Sequence, residues 1–223
     1  MNKAFLIGSL LAIIMSGCYQ HFQKHDVPPH IETPNDALEE LKNGNERFLK
    51  NHMIHTNYKD EILHTKTSQH PHSFILSCID SRVPDEIIFD QGIGNIFVAR
   101  VAGNFENDDI LGSMEYAAKL KESKLIVVLG HTNCGAIKGA VDDTKLENLS
   151  NSLDQIKPAI SGTTTYPMHE SILHETTTKN VAMTVAHIRH RSKTLDTLAK
   201  ENKIKIVGAI YDVATGEVHF LNI

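Results

Sequence analysis

The chain has no tryptophan, only three cysteines and no block rich in lysine or arginine. Without a basic block, the electrostatic footprint of a nucleic-acid-binding surface is missing, and no nucleic-acid partner is expected. The apolar stretch near the start, AFLIGSLLAIIM, is shorter than the roughly 20 residues that a membrane-spanning helix needs, which argues against a permanent transmembrane anchor. There is no internal repeat and no low-complexity tract. What remains is an ordinary globular composition, 41% hydrophobic with a net charge of −5 over 223 residues. That is one domain behind a leader, long enough to bury a core. Histidine is plentiful, with 14 in the chain, many of them between His21 and His72.

Residues 1–18 read as an export signal: MNK is a short positive start, the apolar stretch follows, and SGC closes it with small residues and a cysteine. MSGC is similar to a lipoprotein cleavage box, which would lipidate Cys18 and make it the mature N-terminus, although Met15 stands where that box has Leu. Cleavage as a plain signal is the alternative. By the same resemblance, Tyr19 after the cysteine implies the outer membrane rather than the inner one. The expected location is therefore the periplasm, with membrane contact only through a lipid on Cys18. Residues 19–33 read as an extended tether and residues 34–223 as the domain.

Thr33 has the character of an N-cap, with Pro34 at the first helical position and Asp36 in the first turn. Ala37, Leu38, Leu41, Phe48 and Leu49 continue a helical stripe. The span from His52 to His72 is polar and ambiguous. Beyond it, SFILS (73–77), NIFVARVA (95–102), KLIVVLGH (124–131) and KIKIVGAIYD (203–212) are apolar runs suited to buried strands. Helical patterns lie between them, one with Ile110, Met114 and Ala117 on a single face and one with Val181, Val185, Ile188 and Leu195. Near-continuous apolar strands alternating with amphipathic helices predict an α/β fold, a mainly parallel sheet covered on both faces. TGEVHFL adds an antiparallel edge strand. The segment 161–179 carries no readable signal and reads as a connection near a helix pair, with no role for Tyr166 or His169.

Ligands of open α/β sheets collect at the carboxyl ends of the strands. Cys78 follows one strand, His131 ends another, and Cys134 comes three residues later at the start of the helix CGAIKGAV. In an oxidising compartment the two cysteines fit one structural disulfide, and a lone His131 is an ordinary core histidine. Together, two thiols and an imidazole at adjacent strand ends point instead to a zinc site of the Cys₂His type, with a fourth position left for water. Two thiolates cancel the charge of a zinc ion and so weaken its pull on that water. A carboxylate accepting the water's proton as a hydrogen bond would compensate. In an extended segment Cys78, Asp80 and Arg82 share one face, and bidentate pairing with Arg82 makes burial of Asp80 tolerable. A purely structural ion pair fits the same spacing.

These residues resemble the β-class carbonic anhydrases of bacteria and plants, whose signature Cys-x-Asp-x-Arg followed by His-x-x-Cys-Gly is matched by CIDSR and HTNCG. The resemblance runs from about Asn35 to Ile223 and includes GNERF, FVARVAGN, SMEYA and IVGAIYDVATGEV. It implies the β-carbonic anhydrase fold, one zinc ion per chain on Cys78, His131 and Cys134, and a catalytic dyad of Asp80 and Arg82. It implies Gln69, Phe97, Tyr116 and the Gly135 N–H as substrate-binding groups, with carbon dioxide held near Phe97 and Ala102. It also implies a homodimer or larger homo-oligomer in which a partner subunit completes the pocket. Some bacterial relatives have an inhibitory bicarbonate site using a Trp three residues before the first zinc cysteine. That position is Ile75 here, so that regulation is not expected, although Arg100 matches the site's arginine.

The reaction implied is reversible hydration of carbon dioxide to bicarbonate and a proton, with histidines as proton relays near neutral pH. Two other readings share parts of this pattern. The same fold and ligands could hydrolyse carbon disulfide or carbonyl sulfide, and the histidines of HFQKHDVPPH and HPH could make the chain a non-catalytic periplasmic zinc binder.

Overall fold

Thr33 opens the first helix as its sequence predicts. In the computed structural model, which describes residues 31–160 and 169–223, the Thr33 hydroxyl accepts from the Asp36 N–H at 3.2 Å, and the Asp36 carboxylate accepts from the Thr33 N–H at 2.8 Å. Such a reciprocal cap is worth about 1 kcal/mol. The expected leader, Cys18, most of the tether and Tyr166 lie outside the described residues. Helix α1 (Pro34–Leu49) buries Ala37 and Leu41 against the sheet and ends at Lys50. The ambiguous polar span contains α2 (Tyr58–Thr65), capped by Asn57, and this helix buries none of its residues.

The sheet is built from β1 (Ser73–Ser77), β2 (Ile96–Arg100), β3 (Leu125–His131), β4 (Lys205–Tyr211) and β5 (Val218–Phe220). Their spatial order is β2-β1-β3-β4-β5; the first four run parallel and β5 is antiparallel. Every residue of β1 and β3 is buried, which explains why these strands read as unbroken apolar runs: both sheet faces are covered. Leu76, Ile126 and Val128 face Met114, Val181, Ile188 and Leu195 on one side. Ile75, Val127 and Leu129 face Leu41, Ile88 and Phe89 on the other.

The covering helices are α3 (Asp85–Ile88), α4 (Asp108–Glu115, continued by a π-helical turn through Leu120), α5 (Gly135–Val141), α6 (Glu147–Ile156), α7 (His169–Arg191) and α8 (Lys193–Lys200). Two expectations are corrected here. Residues 169–179 are not connection but the first turns of α7. The buried positions of these turns and just beyond them are Thr176, Thr177 and Asn180, so no apolar period marks the start of the helix. The pattern through Val181 and Leu195 is also two helices rather than one: Ser192 stops the first and caps the second, its hydroxyl accepting from the Leu195 N–H at 3.2 Å. Among the described residues, no helix is long and apolar enough to cross a membrane.

Candidate metal centre

β1 and β3 are parallel neighbours, with Ser77 paired to Leu129. Their carboxyl ends therefore lie side by side, with Cys78 one residue beyond β1 and His131 closing β3. Asn133, in left-handed backbone at φ 56°, turns the chain back so that Cys134 caps α5. The two sulfurs and an imidazole nitrogen come within 4.8 Å of one another, all on buried residues. Beneath them Ile137, Ala140, Leu153 and Ile156 form an apolar floor.

This donor set fits a metal ion on two observations. The sulfurs stand 3.9 Å apart, and two sulfurs about 2.3 Å from a tetrahedral zinc would be about 3.8 Å apart. The Thr132 carbonyl can only accept, so the 2.9 Å contact places the His131 proton on Nδ1 and leaves the Nε2 lone pair free. That Nε2 is buried without a hydrogen-bond partner, a costly state unless a cation sits against it. The ionisation expected of the thiols agrees with this geometry. Cys78 is held well below the ordinary thiol range, first by its contact with Cys134 and then by the Gly103 N–H, against the cost of burial. Cys134 is pushed up by Cys78 and by burial. A second thiolate at this distance becomes favourable only beside a positive charge. Among the described residues the other expected donors do not gather this way: His70 is exposed, and His72 is engaged with Ser73 and Gln91; the histidines of HFQKHDVPPH lie outside the described residues.

Asp80 and Arg82 form the expected bidentate pair, Arg82 Nε to Oδ1 at 2.9 Å and Nη2 to Oδ2 at 2.7 Å. The Arg82 N–H adds a third bond to Oδ1 at 3.0 Å. Hydrogen bonding from the Arg82 side chain and backbone holds the Asp80 carboxyl well below the usual carboxylate range despite some burial. Asp80 Oδ2 lies 3.9 Å from His131 Nε2, so the carboxylate faces the cluster. Arg82 Nη2 also reaches the Asn133 carbonyl at 3.2 Å, tying the β1 loop to the β3 loop.

The other expected site residues divide into two groups. Ala102 sits in the turn after β2, next to the Gly103 N–H that contacts Cys78 Sγ at 3.5 Å. Gly135 is exposed at the first turn of α5, and a Cβ added there would meet nothing within 4 Å, so its N–H is approachable. Phe97, Tyr116 and Gln69 are not at this cluster within one chain. Phe97 pairs with Phe74, about 13 Å along the strand direction from Cys78. Its ring packs edge-on to Tyr116 at 6.0 Å. Gln69 is exposed and precedes the amino end of β1. All three lie towards the outer, partly exposed strand β2 or the opposite end of the sheet.

Sequence reasoning missed the role of Arg100, matched there only to an inhibitory site. Its guanidinium donates to the Cys78 carbonyl at 2.9 Å and the Asp80 carbonyl at 2.5 Å, clamping the loop that carries both. The available signal was its place at the end of β2, opposite Ser77. Ile75 is fully buried inside the sheet.

Comparison with known proteins follows the same lines. The family model described as carbonic anhydrase matches residues 73–218. A carbonic anhydrase of Mycolicibacterium smegmatis is 35% identical over 191 residues, covering 83% of this chain and 92% of that protein. The β-carbonic anhydrase CcaA superposes with a TM-score of 0.66 at 24% identity, over 82% of this chain and 94% of that one. A tetrameric β-carbonic anhydrase of Sordaria macrospora gives 0.65 at 23% identity, over 75% and 89%. The enzyme class defined by fold and site is carbonic anhydrase. The chain belongs to the carbonic anhydrase family, and its fold is that of the β class.

Proposed function

We propose that the chain catalyses reversible hydration of carbon dioxide to bicarbonate and a proton, with one zinc ion held by Cys78, His131 and Cys134. The observation that carries this reading is an arginine-locked carboxylate, Asp80, facing a buried two-sulfur, one-nitrogen donor set. When bound there, zinc would supply Lewis acidity that makes a water nucleophilic near neutral pH.

The chain's own residues do the rest. Both Asp80 oxygens accept from Arg82, and Oδ2 keeps a lone pair on the cluster side, where it accepts a hydrogen from the attacking water. That hydrogen bond turns the water's own lone pair towards carbon dioxide. Arg82 keeps Asp80 charged, so the acceptor is always available. The Gly135 N–H meets a product oxygen in the open space beside it, and Ala102 and the apolar floor exclude competing water.

Gln69, Phe97 and Tyr116 serve the site of a second copy in a homodimer or larger assembly. Their separation from their own cluster and the exposure of Tyr116 (43%) support this, as does the tetrameric state of the Sordaria macrospora relative. We further propose that the mature protein is exported to the periplasm and held to the outer membrane by a lipid on Cys18, on the pattern of residues 1–18 alone.

The test is oxygen-18 exchange between labelled carbon dioxide and water, followed by mass spectrometry. Depletion far faster than in buffer, abolished by prolonged chelation and restored by zinc, is the expected result. Depletion at the buffer rate with the zinc-loaded protein would refute the proposal.

A further inference from the structure

Cys78 takes part in a hydrogen-bond relay that begins on a distant helix. Its sulfur accepts from the Gly103 N–H at 3.5 Å. The carbonyl of the same Gly103 accepts from the Asn180 side-chain amide at 2.8 Å, in a fully buried contact from the middle of α7. A carbonyl can only accept, so the amide nitrogen of Asn180 must be the group that points at it.

The turn between these bonds is not one that backbone preference alone would hold. Gly103 and Asn104 are successive left-handed residues, at φ 88° and 43°. A side chain at position 103 is excluded by conformation and by space, since a Cβ would stand 2.4 Å from Ile156 Cδ1. The turn is closed locally by the Asn104 N–H to the Val101 carbonyl at 3.0 Å. Consecutive left-handed residues persist where surrounding contacts fix them. Asn180 supplies such a contact: it grips the carbonyl on the far side of Gly103 from the N–H that meets sulfur, and so limits how the residue between the two peptide planes can turn.

We propose that Asn180 is a positioning residue for the metal centre, acting through Gly103 to fix the N–H to sulfur hydrogen bond on Cys78. This rests on the zinc reading above. A hydrogen bond to a ligating thiolate lowers the energy of the sulfur lone pairs, which sets the charge-transfer energy, and it holds the sulfur in its ligating direction, which favours binding. Partners one step beyond the ligands typically control metal affinity by ten- to a hundredfold. The Oδ1 atom of Asn180 has no hydrogen-bond partner, so the contribution of this side chain is the donated bond to Gly103.

The experiment compares the parent with Asn180→Asp, close in volume to Asn, and Asn180→Leu, which keeps the branch at Cγ but is larger; neither can donate an amide hydrogen. Zinc affinity is measured by competition with a chromophoric chelator. The cobalt-substituted forms are then examined for the thiolate-to-metal charge-transfer band, and melting temperatures are recorded with and without zinc. The expected result is a ten- to hundredfold loss of zinc affinity, a charge-transfer band moved to lower energy, and a smaller zinc-induced rise in melting temperature. Parent-like affinity and an unmoved cobalt band in either folded variant would overturn the inference. So would a variant that melts earlier yet gains as much from zinc as the parent does, because that marks a merely structural role. Failure of the parent itself to bind zinc would overturn the metal reading and this inference with it.

Discussion

The sulfurs of Cys78 and Cys134 stand 3.9 Å apart at the ends of two adjacent parallel strands, close enough to share one cation. Neither cysteine is bonded to the other. Replacing Cys78 by Ser should therefore reduce zinc content from one per chain to near zero after dialysis, with Cys134→Ser doing the same. Metal analysis of the dialysed variants checks this. Retention of a full complement of zinc by Cys78→Ser would remove it from the ligand set.

Asp80 tests the division of labour at the site. Asp80→Asn keeps the shape but loses the charge that accepts the water's hydrogen, so turnover should fall by roughly a hundredfold or more while zinc content stays unchanged. Arg82→Lys should fall less but in the same direction, because an ammonium cannot reproduce the bidentate grip. Since Arg82 holds the Asp80 carboxyl well below its usual range, Asp80 stays ionised throughout the neutral region. Any rise in rate between about pH 6 and 9 then belongs to another group, and Asp80→Asn should lower the plateau but keep the rise, with its midpoint moved down because a negative charge beside the titrating group is lost. Disappearance of the rise in this variant would contradict that assignment.

Much of this was legible in the sequence, for physical reasons that can be named. β1 was read to the residue because burial on both faces leaves no polar position to blur it. The Thr33 cap and the convergence of Cys78, His131 and Cys134 were readable because capping and strand-end clustering need particular residue types at fixed spacings. The start of α7 was not, because its inward face is built of Thr176, Asn180 and Thr184 rather than a stripe of leucines. Asn180 and Arg100 were missed as supports of the site because both act through backbone carbonyls brought near only by the fold. Gln69 shows a different limit: one chain does not bring it to its own cluster.

Asp85 lies fully buried behind Cys78, accepting from the Ser77 hydroxyl at 2.6 Å, with Oδ1 unpartnered. Burial pushes its carboxyl up to about 7, opposed by the Ser77 bond and by Arg100. A folded-state value above the unfolded one means that the native protein binds this proton more tightly. Stability on this account is intact below about pH 4 and falls as pH rises towards about 7. Asp85→Asn should remove that slope and be the more stable protein near pH 8, by up to about 4 kcal/mol. Urea melts of both proteins at about pH 5 and about pH 8 decide it; equal slopes would show that the buried acid is compensated.

If Gln69 serves a partner's site, two crippled chains should repair each other. Gln69→Ala and Cys78→Ser homodimers are each impaired at both sites, whereas a mixed dimer carries both lesions at one site and none at the other. Equal amounts co-refolded at random should recover about a quarter of the parental activity. Recovery no greater than the average of the separate variants would place Gln69 outside the shared pocket.

The most direct test of the central claim is stopped-flow carbon dioxide hydration by the zinc-loaded chain from about pH 6 to 9, alongside its measured metal content. The account predicts one zinc per chain and turnover far above the buffer rate, lost in Cys78→Ser and sharply reduced in Asp80→Asn. One tightly held zinc per chain with hydration at the uncatalysed rate across that range would contradict it, and carbon disulfide would be the next substrate to assay.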